Sequence, residues 1–275
     1  MSMEPRIKKE LEYFDIGQIH RSGQCFRMEE LGEGRFAVVA ADKYLEIRQQ
    51  GQTCEFYCSP EDLENFWKSY FDLETDYGSF IRQIDEKDVY LTEAADLGQG
   101  IRILRQDLWE MIVSFLISQQ NNIPRIRRCI SNICERYGER RQGSRGRVYY
   151  TFPGPAALAA VSEEELRDCN LGYRSRYVKK TAQMILDGQV SLESVRKLDY
   201  PQAREELQKL YGVGTKVADC ICLFALHQME AFPVDTHIRQ ALEKHYPQGF
   251  PFERYKGCSG VMQQYIFYRE LYRGL

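Results

Sequence analysis

No run of about eighteen consecutive apolar residues occurs in this 275-residue sequence, so no membrane-spanning helix is expected. Its opening, MSMEPRIKKELEYF, is charged where a secretory leader would be apolar, so the expected setting is intracellular (cytoplasm/nucleoid or nucleus, not secreted). Internal repeats and low-complexity tracts are missing as well. Nine cysteines make an odd count, and none sits in the paired short spacings of a zinc site. Reduced thiols are expected rather than a disulfide framework. A large excess of positive charge is also lacking: the net charge is −3, which does not by itself advertise a polyanion partner. What remains is 43% hydrophobic and 28% charged, the profile of a folded globular chain long enough for two domains.

Positive charge is concentrated locally. Arg125, Arg127, Arg128, Arg136, Arg140, Arg141, Arg145 and Arg147 crowd one region, and Arg174, Arg176, Lys179 and Lys180 another. Such runs are usually solvated faces, and as DNA contacts they imply few phosphates and a moderate salt dependence.

Along the chain, residues 11 to 58 lack helical periodicity. RFAVVA, YLEIRQQ and TCEFYC are short β-rich runs separated by turns, an antiparallel meander. Ser59-Pro60-Glu61-Asp62 then starts a helix with Leu63, Phe66, Trp67, Tyr70 and Phe71 on one face. DLWEMIVSFLIS, from Asp107, reads as a central buried helix. After the break Gln119–Pro124 a further helix turns Ile126, Ile130, Ile133, Cys134 and Tyr137 inward. Residues 138 to 155 read as one long polar loop, and Ser162 to Glu165 as a capping box. The expected class is α+β: an N-terminal antiparallel β unit with attached helices over residues 1–100, then a helical bundle over residues 101–275.

The chain is organised around Leu210-Tyr211-Gly212-Val213-Gly214-Thr215-Lys216 and its sequel Pro233-Val234-Asp235-Thr236-His237. The helix AREELQKL precedes a turn in which Gly212 and Gly214 tolerate positive φ, and KVADCICLFAL reads as a buried helix after it. A helix starting straight after two glycines offers free N–H groups to a phosphate. Lys216 reads either as a snorkelling side chain or as a partly desolvated amine nucleophile. Cys220, four residues on, reads as a small buried hydrophobe on the same face. Asp235 is an N-cap whose carboxylate stays ionised and fixed.

Helix, L-x-G-V-G-T-K hairpin, apolar helix and P-V-D-x-H resemble the helix-hairpin-helix DNA glycosylases, and most closely the 8-oxoguanine DNA glycosylase/AP lyases. Cys258 stands alone near the C-terminus, which separates the chain from the superfamily's iron–sulfur branch. The resemblance implies a bifunctional glycosylase and lyase with Lys216 and Asp235 catalytic, no cofactor, acting as a monomer on duplex DNA with 8-oxoguanine opposite cytosine. It implies a lesion pocket of Gly23, Cys220, Pro233, Asp235, Gln264 and Tyr268, with Tyr268 where the family has a stacking Phe. It assigns Gln120, Asn121, Arg125 and Arg174 to the cytosine and Tyr173 to the vacated gap. Gly212, Gly214 and His237 would meet the DNA backbone, and carbonyls of Gln208, Leu210 and Val213 a monovalent cation. Two rivals stay open on sequence: a glycosylase for alkylated bases, which usually lacks the lysine, and a non-catalytic DNA-binding module.

Overall fold

Residues 5–143 and 146–272 are described by a computed structural model. Arg145 lies outside them. Five antiparallel strands form the first sheet: β1 (Arg6–Glu10), β2 (Met28–Gly32), β3 (Arg35–Ala40), β4 (Lys43–Gln50) and β5 (Thr53–Tyr57), in the order β1-β5-β4-β3-β2. Three of these are the expected runs. β1 and the short helix α1 (Ile16–Arg21) are not, because RIKKE is polar and IGQIHR too short for periodicity. Asp15 caps α1 by accepting from the Gln18 N–H at 2.8 Å, and Gln49 of β4 accepts from the Ile16 N–H at 2.8 Å. The turn that follows α1 is thereby held against the sheet.

The Ser59 cap is followed without a break by α2 (Pro60–Asp62), a π-helical stretch Leu63–Trp67, and α3 (Lys68–Tyr70). Leu63, Trp67, Tyr70 and Phe71 bury against one face of the sheet, completing its core with Phe36, Val38, Leu45 and Phe56. α4 (Tyr77–Ile81) and α5 (Val89–Gly98) bury instead with the helical bundle, α5 against the C-terminal helix.

The bundle comprises α6 (Leu108–Ser118), α7 (Ile123–Tyr137), α8 (Pro155–Ala160), α9 (Glu163–Leu166), α10 (Arg174–Leu186), α11 (Leu192–Val195), α12 (Tyr200–Leu207), α13 (Thr215–Phe224), α14 (Thr236–His245) and α15 (Ser259–Tyr272). α6 is buried from Leu108 to Ile117, as its apolar run requires. Ser162 and Glu165 form the expected capping box. Residues 138–155 depart from expectation, since a two-stranded hairpin, β6 (Arg140–Gln142) with β7 (Val148–Tyr150), interrupts the loop. Its arginine-rich first strand carried no β pattern.

Two buried polar links join sheet and bundle. Gln24, fully buried, donates to Ser22 Oγ and to the Arg102 carbonyl, both at 2.9 Å, and accepts from the Leu104 N–H at 2.9 Å. Arg27 pairs with Glu110 of α6 at 3.0 Å, both side chains under 10% exposed. Burial pushes the Glu110 carboxyl up, partly offset by the Arg27 cation. All nine cysteines are free, eight of them buried, and burial pushes every one of their thiols up. Among the described residues no helix is long and apolar enough to cross a membrane.

Candidate active site

The hairpin needs glycine at one position for its backbone and leaves the other open. Gly212 sits at φ +87°, and a Cβ there would lie 2.8 Å from Tyr177 Cγ. Gly214 is different from expectation: it is the extended N-cap of α13, at φ −91° and ψ 178°, with nothing within 4 Å of a Cβ. Its lack of side chain leaves the amides of the first α13 turn unobstructed. The Leu210 carbonyl accepts the Val213 N–H at 3.1 Å, closing the turn. No group of three His, Cys, Asp or Glu able to hold a metal occurs among the described residues.

Lys216, in that first turn, is half-buried, with Nζ 5.5 Å from the centre of the Phe115 ring. One turn on, Cys220 is 3% exposed. Burial pushes its thiol up, the Lys216 cation and hydrogen bond pull it down, and the Asp235 charge pushes it up again. Cys220 is therefore a neutral thiol within electrostatic reach of both. Asp235 caps α14, accepting from the Ile238 N–H at 2.8 Å. The carboxylate is fixed by its own helix start, as its cap position predicts.

These groups face one cavity of about 50 Å³, narrower than a purine base. Lys216, Cys220, Pro233 and Asp235 line one side; Ser22 and Gly23 come from the turn after α1, and Gln263, Gln264 and Phe267 from α15. Gly23, at φ +76°, packs so tightly that a Cβ would stand 3.1 Å from Phe267 Cε1. Gln263 donates to the Pro233 carbonyl at 2.9 Å, and Gln264 Nε2 to Gln263 Oε1 at 3.1 Å. Gln264 Oε1 is buried without a donor, which leaves an acceptor in the pocket wall. A larger cavity, about 780 Å³, lies elsewhere, between α7 and the sheet, and holds none of the expected site residues.

Tyr268 is not in the pocket. It is 5% exposed, packs on Tyr272 at 4.7 Å, and its hydroxyl lies 3.5 Å from Arg21 Nε. Phe267 stands in the pocket in its place. The register slipped by one because α15 is buried on nearly every side from Ser259 to Ile266, so its pattern marks no inner face. Phe115 and Gln263 carried no signal either, being ordinary members of a buried helix.

The loop between α6 and α7 lies beside the hairpin. Gln120 takes φ +48°, Asn121 donates to the Ile117 carbonyl at 3.1 Å, and Asn122 caps α7 by accepting from the Arg125 N–H at 3.0 Å. The side chain of Arg125 is exposed. Tyr173 is 46% exposed at the start of α10. Arg174 is not available as it stands: only 3% exposed, it donates to the carbonyls of Gln119 and Gln120, each at 2.8 Å. His237 is exposed at the start of α14, edge-on to Phe267 at 6.4 Å.

The basic regions are less free than their composition implies. Arg136, Arg141 and Arg147 pair with Asp168, Glu139 and Glu29, and Lys179 donates inward to the carbonyls of Ala159 and Val161. Arg176 and Lys180 lie over the Tyr211 ring, 5.8 and 4.4 Å from its centre. Arg176 and Lys180 therefore bring positive charge to the hairpin.

A sheet joined to a helical bundle, with a lysine after a helix–hairpin–helix turn facing a capping aspartate, defines the class: a helix-hairpin-helix base excision DNA repair fold. The HhH-GPD superfamily model of base excision DNA repair proteins matches residues 113–249, and the 8-oxoguanine DNA glycosylase N-terminal domain model matches residues 6–112. The chain belongs to the 8-oxoguanine DNA glycosylase family.

It is 33% identical over 229 residues to the N-glycosylase/DNA lyase OGG1 of Arabidopsis thaliana, covering 80% of this chain and 62% of that protein. With the N-glycosylase/DNA lyase of Saccharomyces cerevisiae it is 36% identical over 159 residues, covering 54% and 42%. The chain thus spans less than two thirds of either curated relative. A solved Clostridium acetobutylicum 8-oxoguanine glycosylase/lyase, in complex with double-stranded DNA containing cytosine opposite 8-oxoguanine, superposes with TM-score 0.90 at 35% identity, covering 100% of both chains.

Proposed function

We propose that the protein is a bifunctional base-excision enzyme. It swings 8-oxoguanine, paired with cytosine, out of duplex DNA, cleaves its glycosidic bond through a Schiff base on Lys216, and then nicks the strand by β-elimination. The observation that carries this reading is the single cavity shared by an amine, a capped carboxylate and the Gly23 turn. Extrusion costs a few kcal/mol of unstacking, and Tyr173, exposed beside the cytosine-reading loop, fills the gap.

In the pocket the Gly23 carbonyl accepts the N7–H of 8-oxoguanine, whereas guanine's N7 is itself an acceptor and is repelled. Gln264 Oε1, lacking a donor, suits the donor groups of a guanine-type pairing edge. Phe267 takes the stacking role expected of Tyr268, with Cys220 on the other face. Because the cavity is narrower than a purine, Phe267 must swing away from Gly23 as the base enters. Gln120, Asn121 and Arg125 address the cytosine, and Arg174 braces the loop that carries them. The first-turn amides of α13 and His237 take backbone phosphates.

Asp235 stabilises positive charge developing at C1′ as the C1′–N9 bond breaks and its electron pair leaves with the base, which takes up a proton. The Lys216 amine forms the new bond at C1′ and loses a proton; opening of the sugar gives the iminium. Loss of a C2′ proton then expels the 3′ phosphate. The enzyme works inside the cell as a monomer.

Borohydride reduction during turnover tests the proposal. A covalent adduct should form on duplex DNA with 8-oxoguanine opposite cytosine and vanish in Lys216→Gln. No adduct on any lesion would refute the Schiff base and leave a glycosylase without lyase chemistry or a DNA-binding module, and equal excision opposite cytosine and adenine would refute the opposite-base assignment.

A further inference from the structure

Three parts of the site must act together on DNA, and one residue touches all of them, through its side chain on one side and its main-chain carbonyl on the other. Gln119, the first residue of the cytosine-reading loop, donates from Nε2 to the Gly212 carbonyl at 3.1 Å. Its own carbonyl accepts from Arg174 Nε at 2.8 Å and from the Tyr173 hydroxyl at 3.3 Å. The peptide between Gly212 and Val213 is thus held at both ends, its carbonyl by Gln119 and its N–H by the Leu210 carbonyl. That peptide immediately precedes the amides assigned to phosphate, and Lys216 follows four residues after Gly212.

From these contacts we infer that Gln119 is a positioning residue: it couples the loop that reads the opposite base to the hairpin that carries Lys216. The inference rests on the function proposed above. A loop displaced by the wrong opposite base drags the Gln119 amide off the Gly212 carbonyl. The hairpin peptide is then free to rotate, and the amine loses its alignment with C1′. Cytosine keeps the loop, and therefore the amine, in place. A 1 Å error in placing a reacting group is enough to cost rate without costing affinity.

The test compares wild type with Gln119→Met, which keeps length but no polar atoms, and Gln119→Glu, which keeps shape but has no N–H donor. Single-turnover excision of 8-oxoguanine is measured opposite cytosine and opposite adenine, together with duplex Kd. Excision opposite cytosine should fall about tenfold, the scale of one lost hydrogen bond. The Kd should stay within about threefold, and the cytosine-to-adenine rate ratio should shrink. If Gln119→Met does not fold, Gln119→Glu decides.

Unchanged rates in a folded variant overturn the inference while leaving the enzyme assignment standing. So does an equal fall opposite both bases with weakened binding, the mark of a purely structural role. A wild-type protein that excises no 8-oxoguanine overturns both.

Discussion

Two glycines two residues apart should respond to substitution in opposite ways. Gly212→Ala puts an L side chain at φ +87°, which costs about 1–2 kcal/mol. The new Cβ would stand 2.8 and 3.0 Å from Tyr177 Cγ and Cδ2. Tyr177 cannot yield freely, since it packs edge-on to Tyr173 at 5.6 Å and to Tyr211 at 5.7 Å. Overpacking of this kind adds roughly 1–3 kcal/mol, for a total of about 2–5 kcal/mol. In a protein of this size that lowers Tm by about 5–15 °C.

Gly214→Ser, in contrast, meets open space at an N-cap already in extended backbone. Serine there should stabilise by a few tenths of a kcal/mol, on the order of the Gly-to-Ser difference at caps. Its hydroxyl would occupy an amide that the proposed function assigns to a phosphate, so duplex affinity should fall about tenfold. Urea unfolding and equilibrium DNA titration of both variants check this. A Gly212→Ala loss under about 1 kcal/mol, or a Gly214→Ser protein that binds DNA like wild type, would refute the reasoning.

Phe267→Ala should cut 8-oxoguanine excision well below wild type while Tyr268→Phe leaves it near normal, measured as single-turnover rates; the reverse order would restore Tyr268 to the pocket. Burial, with Arg127 and Arg21 nearby, lowers the pKa of His20 from 6.5 to about 4. The unfolded chain therefore takes up a proton first, and stability is lost as pH falls from 6.5 toward 4, by at most about 3 kcal/mol and less where solvent screens the ring. Urea midpoints across that range should show the slope in wild type and a flatter one in His20→Gln. Glu110→Ala leaves the Arg27 cation buried and unpaired, so a loss of about 3–5 kcal/mol is expected by chemical denaturation. Thiol titration of the native protein should modify Cys58, the half-buried cysteine, ahead of the other eight.

Much of this molecule is legible before any coordinate is known, and the failures share a cause. β3, β4 and β5 alternate or run apolar, α6 is apolar along its length, and Asp107, Ser59 and Ser162 announce helix starts, so each element reads true. The Lys216–Asp235 meeting was readable only because a motif links two short stretches. Periodicity cannot report which of Phe267 and Tyr268 faces inward on a helix with no exposed side. Arg174 misleads for a different reason. An arginine opening a helix looks solvent-facing, and its burial is decided by carbonyls from Gln119 and Gln120, more than fifty residues away. Gln119 gives no sign of its partner, because a glutamine in a polar loop has no local signature of a long-range contact.

The buried thiols have one more consequence. The nucleophilic and most readily oxidised form of sulfur is the thiolate, and burial holds these cysteines away from it. Cys220 lines the pocket beside Lys216 as a protonated, shielded group, poorly able to climb to sulfenic acid. On the function proposed above, the pocket would keep its sulfur as packing under the oxidants that create its substrate and leave attack to the Lys216 amine.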